Sequence, residues 1–328
     1  MFVMTSDISI CGISVKPTAV KWRCSVSDYT DTCTIELPLS LYAKTNGGGN
    51  KSLPFYEGGD VIVKLGYNGR NTTRFMGKVL RINYAVPLQI ECEGCSYDLR
   101  KKRFTKSYQK TTALQLIKDL CNGTDIIIQK NNIADIPLTN VWFKDYPATE
   151  VLDWLKKNCA CRIWFDFDKL YLSPSMYSNS KDAAKLRPGF NTVKDDELKK
   201  AAADETVRIN IVAKDSTGQA KKTKTKSKEK DQKSKTEKTV NVRSGLPSDY
   251  LQEVAAAMEK DENRQGYEGS VTCFLEPAFE KSMVAEIDDP KFPERNGRYF
   301  VETVEGEYSA NGGRQKLILR QYDNKRGD

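Results

Sequence analysis

The sequence predicts a β-rich α+β protein, and three observations carry that expectation. Short runs of alternating apolar and polar residues recur through the first hundred positions and return beyond residue 200. Clusters of Gly, Asn, Asp and Pro punctuate those runs at hairpin spacing. Two short amphipathic helical patterns lie between the strand-rich stretches. At 328 residues the chain is long enough for two or three domains with separate cores, and 39% hydrophobic with 29% charged residues is a globular rather than a disordered composition.

Taken in order, residues 20–26 and 32–37 alternate in strand fashion around the polar turn 27–31. A Gly-rich loop at 46–50 precedes a strand at 60–67, and Asn68-Gly69 supplies the left-handed turn a hairpin needs before the chain returns over 75–84. Residues 88–95 add a further strand, so residues 1–100 read as a small barrel or sandwich. Thr112 and Gln115 then fit a capping box, with Ala113, Leu116, Ile117 and Leu120 on one helical face up to Gly123. A strand at 126–128 follows. Pro147 suits a first helical position ahead of 148–158, whose buried face is Ala148, Val151, Leu152 and Leu155. Residues 162–166 and 169–174 read as a hairpin, which completes a compact α+β module over 101–185. Residues 186–203 are linker-like, strand patterning resumes at 206–213, and a helix is expected at 249–260. Strands follow at 270–275, 298–308 and 316–321, the last two joined at Asn311-Gly312-Gly313.

The charge is local. Nine lysines (Lys221, Lys222, Lys224, Lys226, Lys228, Lys230, Lys233, Lys235 and Lys238), set against Glu229, Asp231 and Glu237, supply +6 of the formal +8. The remainder is too nearly neutral to define a basic binding face. With no aromatic residue and scarcely an apolar one, about 219–239 reads as a mobile, disordered insertion whose lysines form a candidate partner-contact loop. No apolar run approaches the ~20 residues of a membrane span and no signal-peptide pattern opens the chain, so a soluble protein made in the cytoplasm is expected. The nine cysteines, odd in number, are then expected to be free thiols. Cys92 and Cys95 have half of a zinc-site spacing, and Cys159 and Cys161 form a second close pair. Without any histidine they read as strand residues. The same lack removes Ser-His-Asp and Cys-His catalysis. Gly47-Gly48-Gly49-Asn50-Lys51-Ser52 lacks P-loop spacing. The carboxylate pairs Asp166/Asp168 and Asp195/Asp196 remain as a formal glycosidase option, although the first simply marks the solvent face and turn of a hairpin. The residues thus point to no enzyme, cofactor, metal or small-molecule substrate.

The order of the pieces resembles the central hub family of contractile tails: phage baseplate hub and late-control-protein-D proteins, and the N-terminal hub part of type VI secretion spike proteins. Four stretches carry the resemblance: 55–67 running into 75–79; the capped helix 111–117; 148–155 through Asn158-Cys159-Ala160-Cys161 to the hairpin ending at Pro174; and 269–277 followed by 297–305 and the Gly-Gly hairpin to Leu317. The chain departs from the family where its hairpin has Asp168-Lys169 in place of Asp-Gly or Asn-Gly, and where Cys159-Ala160-Cys161 stands in place of a helix-ending Gly. The resemblance implies two tube-like β-barrels, 1–100 and 186–328, separated by the 101–185 module. It also implies a homotrimer forming a pseudo-hexameric ring in the tail baseplate, between the tail tube protein and the spike protein, beside other baseplate subunits. Neither nucleic acid nor membrane insertion is expected. A tail-associated cell-wall hydrolase using paired carboxylates and a nucleic-acid-binding β-barrel protein are the competing readings.

Overall fold

The computed structural model describes residues 3–38, 44–45, 51–52, 54–129, 136–173, 183–201, 206–214, 220–224, 235–243, 245–263 and 266–323. The N-terminal strands are β1 (Met4–Ile10), β2 (Ile13–Val15), β3 (Ala19–Ser25), β4 (Thr32–Leu37), β5 (Asp60–Tyr67), β6 (Arg70–Asn83) and β7 (Leu88–Gly94). Next come β8 (Arg103–Thr112), α1 (Ala113–Cys121), β9 (Ile127–Ile128), β10 (Pro137–Pro147), α2 (Ala148–Cys159), β11 (Arg162–Asp166) and β12 (Lys169–Ser173). The remainder is β13 (Ala183–Leu186), β14 (Thr192–Lys194), β15 (Thr206–Lys214), β16 (Ala220–Lys224), β17 (Lys235–Arg243), α3 (Ser248–Glu262), β18 (Tyr267–Phe274), β19 (Val284–Ile287), β20 (Gly297–Ser309) and β21 (Gly312–Asp323). The protein is a β-rich α+β fold. Among the described residues no helix is long and apolar enough to cross a membrane.

The chain divides into two compact units, one of residues 1–97, 180–199 and 267–328, the other of 98–179 and 200–266. In the first unit the strands follow the order β14-β18-β21-β20-β3-β4-β7-β6-β5-β1-β2, with β19 paired to β20 and β13 to β19. N-terminal and C-terminal strands meet in the antiparallel β3–β20 ladder, which runs from Ala19↔Ser309 to Ser25↔Thr303. Each strand set keeps its own core. One surrounds Ile8, Trp22, Ile35, Val63, Phe75 and Ile90, and the other Val271, Phe279, Tyr299, Val301, Leu317 and Leu319. Period-two alternation does the sorting: in β4 Cys33, Ile35 and Leu37 are buried while Thr32 is exposed. Asn68 and Gly69, at φ 52° and 81°, close the β5–β6 hairpin with Tyr67 opposite Arg70, so the turn chemistry fixes the register. Gly306 faces Trp22 across the β3–β20 ladder. A Cβ there would lie 1.9 Å from the indole Cζ2, so only glycine lets the ring cross the seam.

In the second unit, β8 and β10 form an antiparallel ribbon, and β9-β12-β11 a small sheet. Thr112 caps α1 by accepting the Gln115 amide at 3.3 Å. The expected box is only half made, because the Gln115 side chain donates to Asp119 Oδ1 at 3.1 Å, one turn along the helix. Pro147 is the N-cap of α2 rather than its first helical residue, and the helix ends on Ala160 in the left-handed conformation, φ 51°. The β11–β12 turn is Phe167-Asp168, since Asp166 pairs with Lys169, and Phe167 takes φ 51° where the turn favours glycine. Residues 200–266 group with this unit, whereas the sequence places them in the 186–328 segment. The apolar face of α3 finds its cover here: Tyr250, Leu251, Val254 and Ala255 are buried, and the Tyr250 hydroxyl donates to the Cys159 carbonyl at 2.8 Å.

The lysine-rich stretch is less loop-like than its composition suggests. Ala220–Lys224 and Lys235–Arg243 are the outer strands of a sheet in the order β16-β15-β17. Ladder hydrogen bonds are made by the main chain, and the buried apolar residues are Ile209, Ile211, Val212 and Ala213 on β15 with Val242 on β17. Lysine on an outer strand is compatible with such pairing and discourages further edge association.

Candidate functional site

The most heavily built polar constellation lies in the first unit, where the two strand sets join. Lys281 Nζ lies 2.6 Å from both carboxylate oxygens of Asp31, and the two side chains are 3% and 7% exposed. Asp31 follows the β3–β4 turn. Its Oδ1 accepts the Ser25 amide at 3.2 Å, and its carbonyl accepts the Gly94 amide at 2.8 Å. Lys281 also reaches the Ser25 carbonyl at 3.4 Å, and Thr303 donates to Ser25 Oγ at 2.9 Å. One cation from the C-terminal segment thus closes a network anchored on β3, β4 and β20. A buried pair survives only when its partners satisfy it in this way.

A second cation does the same from the opposite direction. Arg74 on β6 buries its guanidinium, donates to the Leu275 carbonyl at 2.6 Å and to Gln315 Oε1 at 3.4 Å, and lies 3.5 Å from Glu276. Burial lowers its pKa below the ordinary guanidinium value, and Glu276 opposes the shift. Gln315, fully buried on β21, donates onward to the carbonyls of Phe274 and Pro277 at 2.8 and 2.6 Å. What this arrangement does chemically is hold N-terminal and C-terminal strands as one sheet. No sequence motif singles out Asp31, Arg74, Lys281 or Gln315. Gln315 does leave a signal, because it occupies an inward position of the alternation that continues through Leu317 and Leu319.

The sequence-predicted lysines divide three ways. Lys221, Lys222 and Lys224 lie on β16, Lys235 and Lys238 on β17, and Lys226, Lys228, Lys230 and Lys233 lie outside the described residues. Lys238 pairs with Glu262 at 2.7 Å, which ties it to α3. Of the carboxylate pairs, Asp195 bonds Arg295 at 2.5 Å while Asp196 faces Lys194 at 3.4 Å, so the neighbours serve different cations. Asp166 is buried, which corrects its placement on a solvent face: both β11 and β12 are covered on either side. Next to the aspartate pair, Glu197 accepts from Ser270 and Lys316, and those bonds pull its pKa down to about 2. Cys92 is buried, Cys95 half-buried, and Cys159 and Cys161 buried; burial pushes the Cys159 thiol up to about 12. Among the described residues no three His, Cys, Asp or Glu side chains gather as metal ligands.

No protein-family model matches the sequence, and no curated protein matches it. Solved structures do. The tail protein from Neisseria meningitidis MC58 is similar over 97% of this chain and 96% of its own, with TM-score 0.67 at 12% identity. The 43 kDa tail protein of prophage MuSo2 from Shewanella oneidensis is similar over 98% and 99%, with TM-score 0.62 at 12% identity. An E. coli component of the type VI secretion system, itself described as structurally similar to bacteriophage T4 tail proteins, is similar over 98% and 78%, with TM-score 0.54 at 10% identity. The chain carries the fold of these tail and type VI secretion proteins.

Proposed function

We propose that the chain is the central hub subunit of a contractile phage tail or a related injection machine, with a structural rather than catalytic role. Three copies form a ring in which two tube-like barrels per chain alternate, one from residues 1–100 and one from the strands of 186–328 that belong to the first unit. The ring meets a hexameric tail tube protein on one side and a trimeric spike protein on the other, with other baseplate subunits around it. It assembles in the cytoplasm of the producing cell and resides in the baseplate of the particle. The observation that carries this reading is the sheet with two cores joined through β3 and β20. A closed ring needs equivalent patches around its axis, and in this reading the two strand sets of each chain act as equivalents, so that a trimer presents six. The near end-to-end likeness to tail proteins supports the same reading.

Negative-stain microscopy of the chain co-expressed with its tube and spike partners tests it. The expected result is a three-fold particle with six lobes; a monomer in the presence of both partners overturns the proposal. Clearing of a purified cell-wall suspension by the chain would favour a carboxylate hydrolase instead. Nucleic-acid affinity that falls steeply with salt and persists after deletion of 219–239 would favour a binding barrel.

A further inference from the structure

Cys33 on β4 and Cys92 on β7 are direct register partners. Two positions along the same ladder the Gly94 amide donates to the Asp31 carbonyl, so 31/94 is a hydrogen-bonded pair, and the alternation of an antiparallel ladder makes 33/92 one as well. The Cα atoms of such a pair lie about 5.5 Å apart, inside the ~4.4–6.8 Å that disulfides span. Both thiols point into the core that holds Ile35, Val79 and Ile90, and each residue is 2% exposed. Among the described strand registers no other two cysteines face one another: Cys24 lies opposite Val304, and Cys273 opposite Gln315 and Thr192.

We propose that Cys33 and Cys92 are a redox modification site that closes to an intrachain disulfide when the folded protein meets a small-molecule disulfide. Because both thiols are buried, the reaction proceeds through local opening of the β4–β7 ladder, in which the thiolate of one cysteine attacks a sulfur of the reagent RSSR and releases one RS⁻. The second cysteine then attacks the protein sulfur of the mixed disulfide and releases the other RS⁻. The two cysteine protons pass through solvent to the leaving thiolates, so two protein thiols and RSSR give one protein disulfide and two RSH. The bond would staple β4 to β7 around the β5–β6 hairpin. A chain folded in a reducing cytoplasm stays open, and one carried into an oxidising exterior closes. Cβ atoms of directly opposed residues start about 5 Å apart and must draw in to about 3.8 Å, so the bond is strained and returns readily to thiols. Burial also raises the pKa of both thiols, which keeps the pair slow at neutral pH. The site does not depend on ring assembly.

The test uses the full reduced chain, incubated folded with excess oxidised glutathione and then alkylated in denaturant. The expected product has two fewer alkylated thiols than the nine of the reduced chain, carries no glutathione mass, and shows a 33–92 cross-link by tandem mass spectrometry. Its formation accelerates about tenfold per pH unit between pH 7 and 9, as the thiolate fraction does. Cys33→Ala and Cys92→Ala abolish the change, whereas Cys24→Ala and Cys95→Ala keep it. Nine alkylated thiols after oxidation, a glutathione adduct without a cross-link, or a cross-link mapped to other cysteines overturns the proposal. Where an alanine variant fails to fold, cross-link mapping in the unmutated chain still separates these outcomes.

Discussion

Replacing Lys281 with methionine removes one half of the buried pair that joins the two strand sets, and its consequence can be sized from the geometry. Nζ is 2.6 Å from both oxygens of Asp31. At an effective dielectric of ~20 that contact is worth about 6 kcal/mol before desolvation. Stripping water from the two ions costs several kcal/mol each, so the intact pair contributes little net stability. Methionine fills much of the lysine volume but leaves a carboxylate that is 7% exposed without its counterion. The first unit is therefore expected to lose about 3–5 kcal/mol. Asp31→Leu combined with Lys281→Met removes both charges and should fall within about 1.5 kcal/mol of the parent. Hydrogen exchange of the β3 and β20 amides against urea concentration reads the first unit separately from the second. A loss below about 1 kcal/mol in the single variant, or a double variant as unstable as the single one, refutes the reasoning.

Three further outcomes are expected. Gly306→Ala places a methyl against the Trp22 indole and should cost about 1–3 kcal/mol, read as a lower urea midpoint for the first unit. Ala160→Gly relieves a left-handed alanine at the end of α2 and should stabilise the second unit by about 1 kcal/mol, seen as slower amide exchange in α2. Glu197 is held near 2 by Ser270 and Lys316, so its contribution is fully present above its ordinary value of 4.5 and is lost as pH falls through about 2. Glu197→Gln should flatten the acid limb of a stability-versus-pH curve within that window; an unchanged limb refutes the assignment.

What could be read from the chain is local. The Asn68-Gly69 turn, the Thr112 cap and the buried faces of α1 and α2 follow from neighbours a few residues apart, whose steric and hydrogen-bonding preferences are intrinsic. Even there, competition between local partners decided details, as when the Gln115 side chain bonds Asp119 in place of the cap. The lysine strands were hidden because composition reports side chains, whereas β16 and β17 are held through the main chain by an apolar neighbour.

Residue order alone suffices for the β-rich α+β class, for the alternation that sorts core from surface, and for the exclusion of histidine chemistry. Those properties reside in single residues and short windows. Long-range packing was needed to establish that Arg23 lies beside Glu305, that Asp31 and Lys281 neutralise one another, and that Arg74 caps the Leu275 carbonyl. Each pairing joins positions far apart in the chain, and a charged residue written in sequence looks the same whether water or a distant counterion completes it.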